Sequence, residues 1–143
     1  MRKPAYCLHC DDGALLRQET RDVTETMDGL RATVRALRGW HCAVCGEIEF
    51  DKDSRSAERY SAMLAKLRER VATRRAAQLR ATRKKLGLKQ AEAGRMFGGG
   101  VNAFSEYERG KTQPHKSTVL LFRLLEKHPD LLAELRSVSP TGA

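Results

Sequence analysis

The sequence predicts an α+β protein in which a small β-rich N-terminal domain precedes an all-α C-terminal domain. Three observations support this prediction. Two Cys-x-x-Cys pairs occur in the first 45 residues, apolar residues alternate between them, and the last third reads as short helix, glycine turn and second helix. A chain of 143 residues has room for one ordinary domain or two small ones. This length excludes a large enzyme fold.

The four cysteines form two pairs, Cys7 with Cys10 and Cys42 with Cys45. In a reducing compartment, two such pairs are typical of one tetrahedral Zn²⁺ site. Four thiolates leave no coordination position open for water, so we expect a structural zinc and not a catalytic one. Paired disulfides and free thiols are the alternatives.

His9 and His41 lie beside the cysteines, and neither is followed by Glu at the second position, as a zinc deaminase would require. We interpret both as knuckle or surface residues. None of the four histidines has a carboxylate partner in a recognisable motif. We therefore expect no catalytic residues and no enzymatic activity.

The chain between the two cysteine pairs is expected to form a small antiparallel sheet that carries the zinc at one end. Leu30, Ala32, Val34 and Ala36 approximately alternate with polar residues, and Leu37 follows them, which is typical of a half-buried strand. The tripeptide Met27-Asp28-Gly29 predicts the hairpin turn.

A long basic helix is predicted from about residue 54 to residue 86, where the sequence contains no Gly or Pro. Tyr60, Leu64, Leu67 and Val71 recur at helical spacing. The sequence leaves open whether this is one helix or two. Residues 55–89 carry 12 Lys or Arg and 2 Asp or Glu, and so hold the whole excess of the +9 net charge. A polyanionic partner and a merely solvated charged helix both explain this excess.

The last third of the sequence predicts a helix-turn-helix. A short helical run from Lys89 to Phe97 is followed by three glycines at 98–100, a second run from Val101 to Arg109, and Gly110 as a helix stop. In this motif the second helix enters the major groove of DNA and the first crosses the phosphates.

The spacing of the second helix divides its residues into two faces. Val101, Phe104 and Tyr107 are expected in the core, and Asn102 is suited to a bidentate contact with adenine, with an N-cap as its alternative role. The expected DNA-facing residues are Asn102, Ala103, Ser105, Glu106 and Arg109, and the expected phosphate contacts are Lys89, Gln90, Arg95, Arg109 and Lys111.

The final helices predict a dimer. Val119–Leu125 is apolar almost all the way round, and Leu131, Leu132 and Leu135 follow. This surface suggests a second subunit, although plain core packing is an alternative. The predicted organisation is a zinc-binding, partner-binding domain at 1–53, a basic helix or linker at 54–75, and a DNA-binding and dimerisation domain at 76–143.

The segment FGGGVNAFSEYERG at 97–110, with Gln113-Pro114-His115 and Lys127-His128-Pro129 downstream, closely resembles the C-terminal half of the MqsA (YgiT-type) antitoxins. Those proteins also begin with two Cys-x-x-Cys pairs. The resemblance implies an N-terminal zinc domain that binds a ribonuclease toxin. It also implies a C-terminal domain of phage-repressor type that dimerises and represses its own operon at a palindromic operator.

Residue by residue, the resemblance places the four cysteines on the zinc ligands of the family and Asn102 on its base-reading asparagine. One position departs from the pattern, because Glu106 stands where the family has an arginine. A carboxylate only accepts hydrogen bonds, whereas arginine donates to guanine. We therefore expect this protein not to recognise the operator that is typical of the family.

The predicted function is an antitoxin and autorepressor, and the alternative is a zinc-containing helix-turn-helix regulator without a cognate toxin. No apolar run reaches the roughly 18–20 residues needed to span a bilayer, and the N-terminus lacks the apolar block of a signal peptide. We therefore expect a cytoplasmic, nucleoid-associated protein without a membrane partner.

Overall fold

The computed structural model describes residues 6–10 and 14–139. It confirms the predicted α+β class, with a three-stranded antiparallel sheet followed by helices. No helix in these residues is both long and apolar enough to cross a membrane. The elements in chain order are β1 (Leu16–Met27), β2 (Leu30–Cys42), β3 (Ile48–Phe50), α1 (Ser56–Lys85), α2 (Gln90–Phe97), α3 (Ala103–Glu108), α4 (Lys116–Lys127) and α5 (Leu131–Val138).

The chain divides into two compact units, residues 1–71 and residues 72–143. The boundary falls inside α1, within the segment 54–75 that the sequence marked as a basic helix or linker. The structure therefore answers the question that the sequence left open. Residues 56–85 form one continuous helix of 30 residues, and α1 belongs in part to each unit.

The sheet is built on a β1–β2 hairpin, to which β3 adds on the far side of β2. Asp28 and Gly29 form the predicted turn with φ values of 52° and 77°. Positive φ at both central residues is the requirement of a type I′ turn, which matches the twist of the strands. This part of the sequence analysis is confirmed.

The alternation of β2 breaks at Ala36, which the sequence analysis had included in the buried face. Ala36 is exposed and has a φ of 50°, and its N–H donates to the Asp22 carboxylate at 2.8 Å. The cause is a bulge in β2, since Arg21 pairs with Leu37 and Val23 with Val34, so that Arg35 and Ala36 together stand opposite Asp22. As a result, Leu37 takes the core position and is fully buried.

The core of the second unit is aromatic and aliphatic. Phe104 and Leu125 are fully buried, and Phe104 packs against Phe97, Phe122 and Tyr107. The predicted core role of Phe104 and Tyr107 is thus confirmed.

Val101 was also predicted to lie in this core, and this prediction is wrong. Its side chain is 49% exposed. The cause lies in the start of α3: the helix begins at Ala103, so the spacing of three residues does not extend back to Val101.

The turn between α2 and α3 depends on glycine at a point of close approach. A Cβ added to Gly94 would lie 2.0 Å from the carbonyl oxygen of Gly100, which is backbone and cannot rotate away. Gly98, Gly99 and Gly100 all have φ between 84° and 93°, a region that glycine occupies without strain. The two helices are therefore held close together by the absence of side chains.

We predict that Gly94→Ala destabilises the second unit by about 3 kcal/mol, because overpacking against rigid backbone forces the helices apart. Gly110→Ala is the matched control. Gly110 has a φ of 70° and open space around its Cα, so its cost is the left-handed strain of about 1 kcal/mol. Urea unfolding followed by far-UV circular dichroism measures both, and equal midpoints for the two variants would contradict the close-packing argument.

Candidate functional site

The first candidate site is formed by the sulfur atoms of the four cysteines, which lie within 4.8 Å of one another. The Sγ atoms of Cys7 and Cys45 are 3.5 Å apart, and those of Cys10 and Cys42 are 3.6 Å apart. Thiolates on a tetrahedral metal with bonds of about 2.3 Å stand about 3.8 Å from one another. A disulfide needs about 2.05 Å. The donor set and spacing therefore fit a tetrahedral zinc ion, and all four cysteines are free thiols.

The sheet brings the two cysteine pairs together. Cys42 ends β2 and stands opposite Leu16 at the start of β1. The N–H of Cys7 donates to the carbonyl oxygen of Ala14 at 2.8 Å, and this bond holds the first cysteine pair beside the start of β1. Gly46, with a φ of 76°, turns the chain after Cys45 and donates its N–H to the carbonyl of Cys42. The separation of 32 residues between the pairs is thus closed by the hairpin.

The environment of Cys42 favours the ionised ligand. The backbone N–H groups of Cys45 and Val44 point at its sulfur and lower the pKa of Cys42 to about 7, against the opposing effect of burial. Only the thiolate binds a metal tightly. Around this site the buried apolar cluster is small, since Leu16 is its one large aliphatic residue and Ala14 and Trp40 are only partly buried. A metal would therefore supply much of the folding energy of this end.

The two histidines near the cysteines are not part of the cluster of potential ligands in the described residues. His9 is exposed, as expected. His41 is only 3% exposed, so of its two expected roles, knuckle residue or surface residue, the second is wrong. It lies in the interior strand β2, opposite Arg17 and Ile48, and burial lowers its pKa.

We predict that the purified protein contains one zinc ion per chain, and that Cys42→Ser loses it. Chelation is expected to change the fluorescence of Trp40, which packs beside the site, while the helical circular dichroism signal of residues 72–143 persists. His9→Ala is the control and retains the metal. Metal analysis and fluorescence test this, and a zinc content of zero in the wild type would contradict it.

The second candidate site is the solvent-facing side of α3. Asn102 immediately precedes the helix, is exposed, and makes no capping hydrogen bond with its side chain. Glu106 and Ser105 are half-buried, and Arg109 is exposed and donates its Nε–H to the carbonyl of Ser105 at 3.1 Å. Ala103 must be removed from this set because it is only 7% exposed and faces Gly99 inside the motif.

The residues predicted to contact phosphate separate into two groups. Lys89, Arg95 and Lys111 are exposed, and Lys89 occupies the N-cap position of α2. Gln90 differs, because its side-chain amide donates to the Glu108 carboxylate at 2.8 Å. The side-chain amide of Gln90 thus makes a hydrogen bond within the second unit.

The acceptor of that bond belongs to a buried ion pair that the sequence analysis missed. Arg83 in α1 binds both carboxylate oxygens of Glu108 in α3 and also donates to the carbonyl of Leu88 at 2.6 Å. The two side chains are only 10% and 4% exposed. Burial opposes ionisation of Glu108, but the hydrogen bonds from Arg83 and Gln90 outweigh it and lower the pKa of this carboxyl.

A signal for this pair was present in the sequence. Arg83 lies four residues after Leu79, so it shares the face of α1 that Leu79 buries, and the buried Leu86 follows directly after the helix. A cation on an apolar face requires a buried partner. The sequence analysis instead counted Arg83 only as one of the basic residues of 55–89, for which it left a polyanionic partner and a solvated helix both open.

We predict that Glu108→Gln destabilises the second unit by about 3–5 kcal/mol, because it leaves the Arg83 charge buried and unpaired. The double variant Arg83→Met with Glu108→Leu restores part of this loss. The lowered pKa of Glu108 adds a pH dependence. Its contribution is complete above the ordinary value of 4.5 and is lost as pH falls through the lower folded-state value. Urea unfolding between pH 3 and pH 7 measures both effects, and an unchanged pH slope in Glu108→Gln would contradict them.

The chain is similar to known proteins over a range that contains both candidate sites. Residues 5–136 match the family model described as the antitoxin component of a bacterial toxin-antitoxin system, MqsA. The chain belongs to the MqsA antitoxin family. It is also 39% identical over 132 residues to Antitoxin MqsA of Escherichia coli, a match that covers 91% of this chain and 98% of that protein. The MqsA match contains the four cysteines and all of α2 and α3.

Proposed function

We propose that this MqsA-family chain represses its own operon by binding a palindromic operator as a homodimer, and that it neutralises a ribonuclease toxin through its N-terminal unit. The observation that carries the proposal is the surface of α3. Asn102 is exposed with its amide free of a capping bond, at the start of the second helix of a helix-turn-helix. Such an amide matches the donor and acceptor of adenine in the major groove.

Charge supports a nucleic-acid partner. Residues 70–91 contain no Asp or Glu, and the exposed Lys89, Arg95 and Lys111 lie on or beside the two helices of the motif. Contacts of this kind fix the register of a protein on the duplex without reading its sequence. They release counterions, so we expect the affinity to fall steeply as salt rises.

Apolar surface on the last two helices supports a dimer. Leu120 and Leu124 of α4 are 52% and 46% exposed, and Val138 of α5 is 72% exposed. A groove of about 220 Å³ lies between these helices, and its lining includes Leu124, Leu135 and Val138. A second copy that covers this surface would present two α3 helices to a palindrome.

The metal end of the first unit supports a protein partner. Tyr6 and Leu8 are 63% and 99% exposed, and with Leu16 and Ile48 they line a cavity of about 650 Å³. Glu47 and Glu49 also line it, so the cavity combines apolar side chains with two carboxylates. A basic RNA-cleaving toxin is complementary to such a surface. In this proposal Zn²⁺ is structural and holds the rim in place.

We predict that the two activities separate in single variants. Asn102→Ala weakens binding to a duplex covering the promoter of its own operon by about 1–3 kcal/mol per half-site, and it retains the toxin. Leu8→Asp loses the toxin and retains the promoter duplex.

Gln113→Ala, which changes an exposed amide outside α3, is the control and retains both activities. Fluorescence anisotropy measures DNA binding, and co-purification with the products of adjacent reading frames measures toxin binding. A promoter duplex that binds Asn102→Ala and the wild type equally would contradict the DNA part of the proposal. A Leu8→Asp variant that still captures the toxin would contradict the placement of the toxin surface.

A further inference from the structure

Helices α2 and α3 carry three carboxylates, and two of them form ion pairs with arginines. Glu92 pairs with Arg136 at 2.9 Å, and Glu108 is held by Arg83. In the part of the chain that the structure describes, the side chain of Glu106 makes no hydrogen bond or ion pair. An unpaired anion therefore lies on the helix that is proposed to meet a polyanion.

Glu106 shares the outer face of α3 with Asn102. The N–H of Glu106 donates to the carbonyl of Asn102 at 3.1 Å, so the two residues are one helical turn apart. Side chains separated by one turn point in the same direction. One turn advances about 5.4 Å, against about 3.4 Å for one base pair, so the two side chains reach bases within one or two steps of each other.

A carboxylate on this face is unfavourable near phosphates, and it is compensated only where DNA offers it a hydrogen-bond donor. In the major groove, guanine presents two acceptors and thymine presents an acceptor and a methyl group. Adenine presents a donor beside an acceptor, whereas the edge of cytosine presents its amino donor alone. Cytosine is therefore the base from which an ionised Glu106 accepts a hydrogen bond with the least repulsion.

We propose that Glu106 is a specificity-determining residue that accepts a hydrogen bond from the N4 amino group of a cytosine, within two base pairs of the base contacted by Asn102. This inference rests on the proposed DNA-binding function and deepens it. The inference implies that each half-site has one position at which the protein prefers cytosine and disfavours guanine on the strand that Glu106 contacts.

The test is selection from a pool of randomised palindromic duplexes by full-length, zinc-loaded protein. Wild type, Glu106→Gln and Glu106→Arg are compared with Glu126→Gln, which removes the same charge from an exposed carboxylate on α4. Wild type and Glu126→Gln are expected to select cytosine at one position of each half-site. Glu106→Gln shifts that position to adenine and Glu106→Arg shifts it to guanine, while the adenine read by Asn102 stays.

Four duplexes that differ only at the selected position then give the size of the effect. Cytosine is expected to bind wild type about 10- to 100-fold more tightly than guanine, and Glu106→Arg reverses the order. Base preferences that are identical in wild type, Glu106→Gln and Glu106→Arg overturn the inference and leave the proposed operator binding intact. Failure of wild type to select any sequence overturns both.

Discussion

The position of α3 depends on the buried pair between Arg83 and Glu108. This pair links three helices, because Arg83 belongs to α1, Glu108 belongs to α3, and Gln90 of α2 donates to the same carboxylate. In a core this small, a charge without its partner costs several kcal/mol. The pair therefore penalises any arrangement in which α3 departs from α1, and it orients the face that carries Asn102.

In the first unit, the corresponding polar cluster is formed by the sulfur atoms of the four cysteines. The end that carries the cysteines has only a small apolar cluster, and the four cysteine sulfurs converge there. The hairpin brings the pairs together, and a metal would hold them against the mutual repulsion of the thiolates. The second unit thus has an aromatic and aliphatic core beside its buried ion pair, whereas the first unit has only a small apolar cluster around its cysteines.

Charge is distributed unevenly along the chain. The basic excess is concentrated between residues 55 and 89, whereas residues 1–50 carry 7 Lys or Arg and 8 Asp or Glu. Residues 72–89 carry 7 Lys or Arg and no Asp or Glu, so most of this excess lies in the second unit. Against this background Glu106 is an exception, and the proposed contact with the amino group of a cytosine would give this anion a partner.

The sequence by itself determined the class of fold, the pairing of the four cysteines as one candidate metal site, the hairpin turn and the order of short helix, glycine turn and second helix. Each follows from local chemistry: the cysteine spacing, the turn preference of Asp-Gly and the positions of the glycines. The tertiary structure alone decided which side chains are free. Ala103 and Arg83 are buried, Gln90 is occupied, and Val101 is exposed. These outcomes depend on partners distant in sequence and on where a helix begins, such as the 25 residues between Arg83 and Glu108, and no local pattern encodes them.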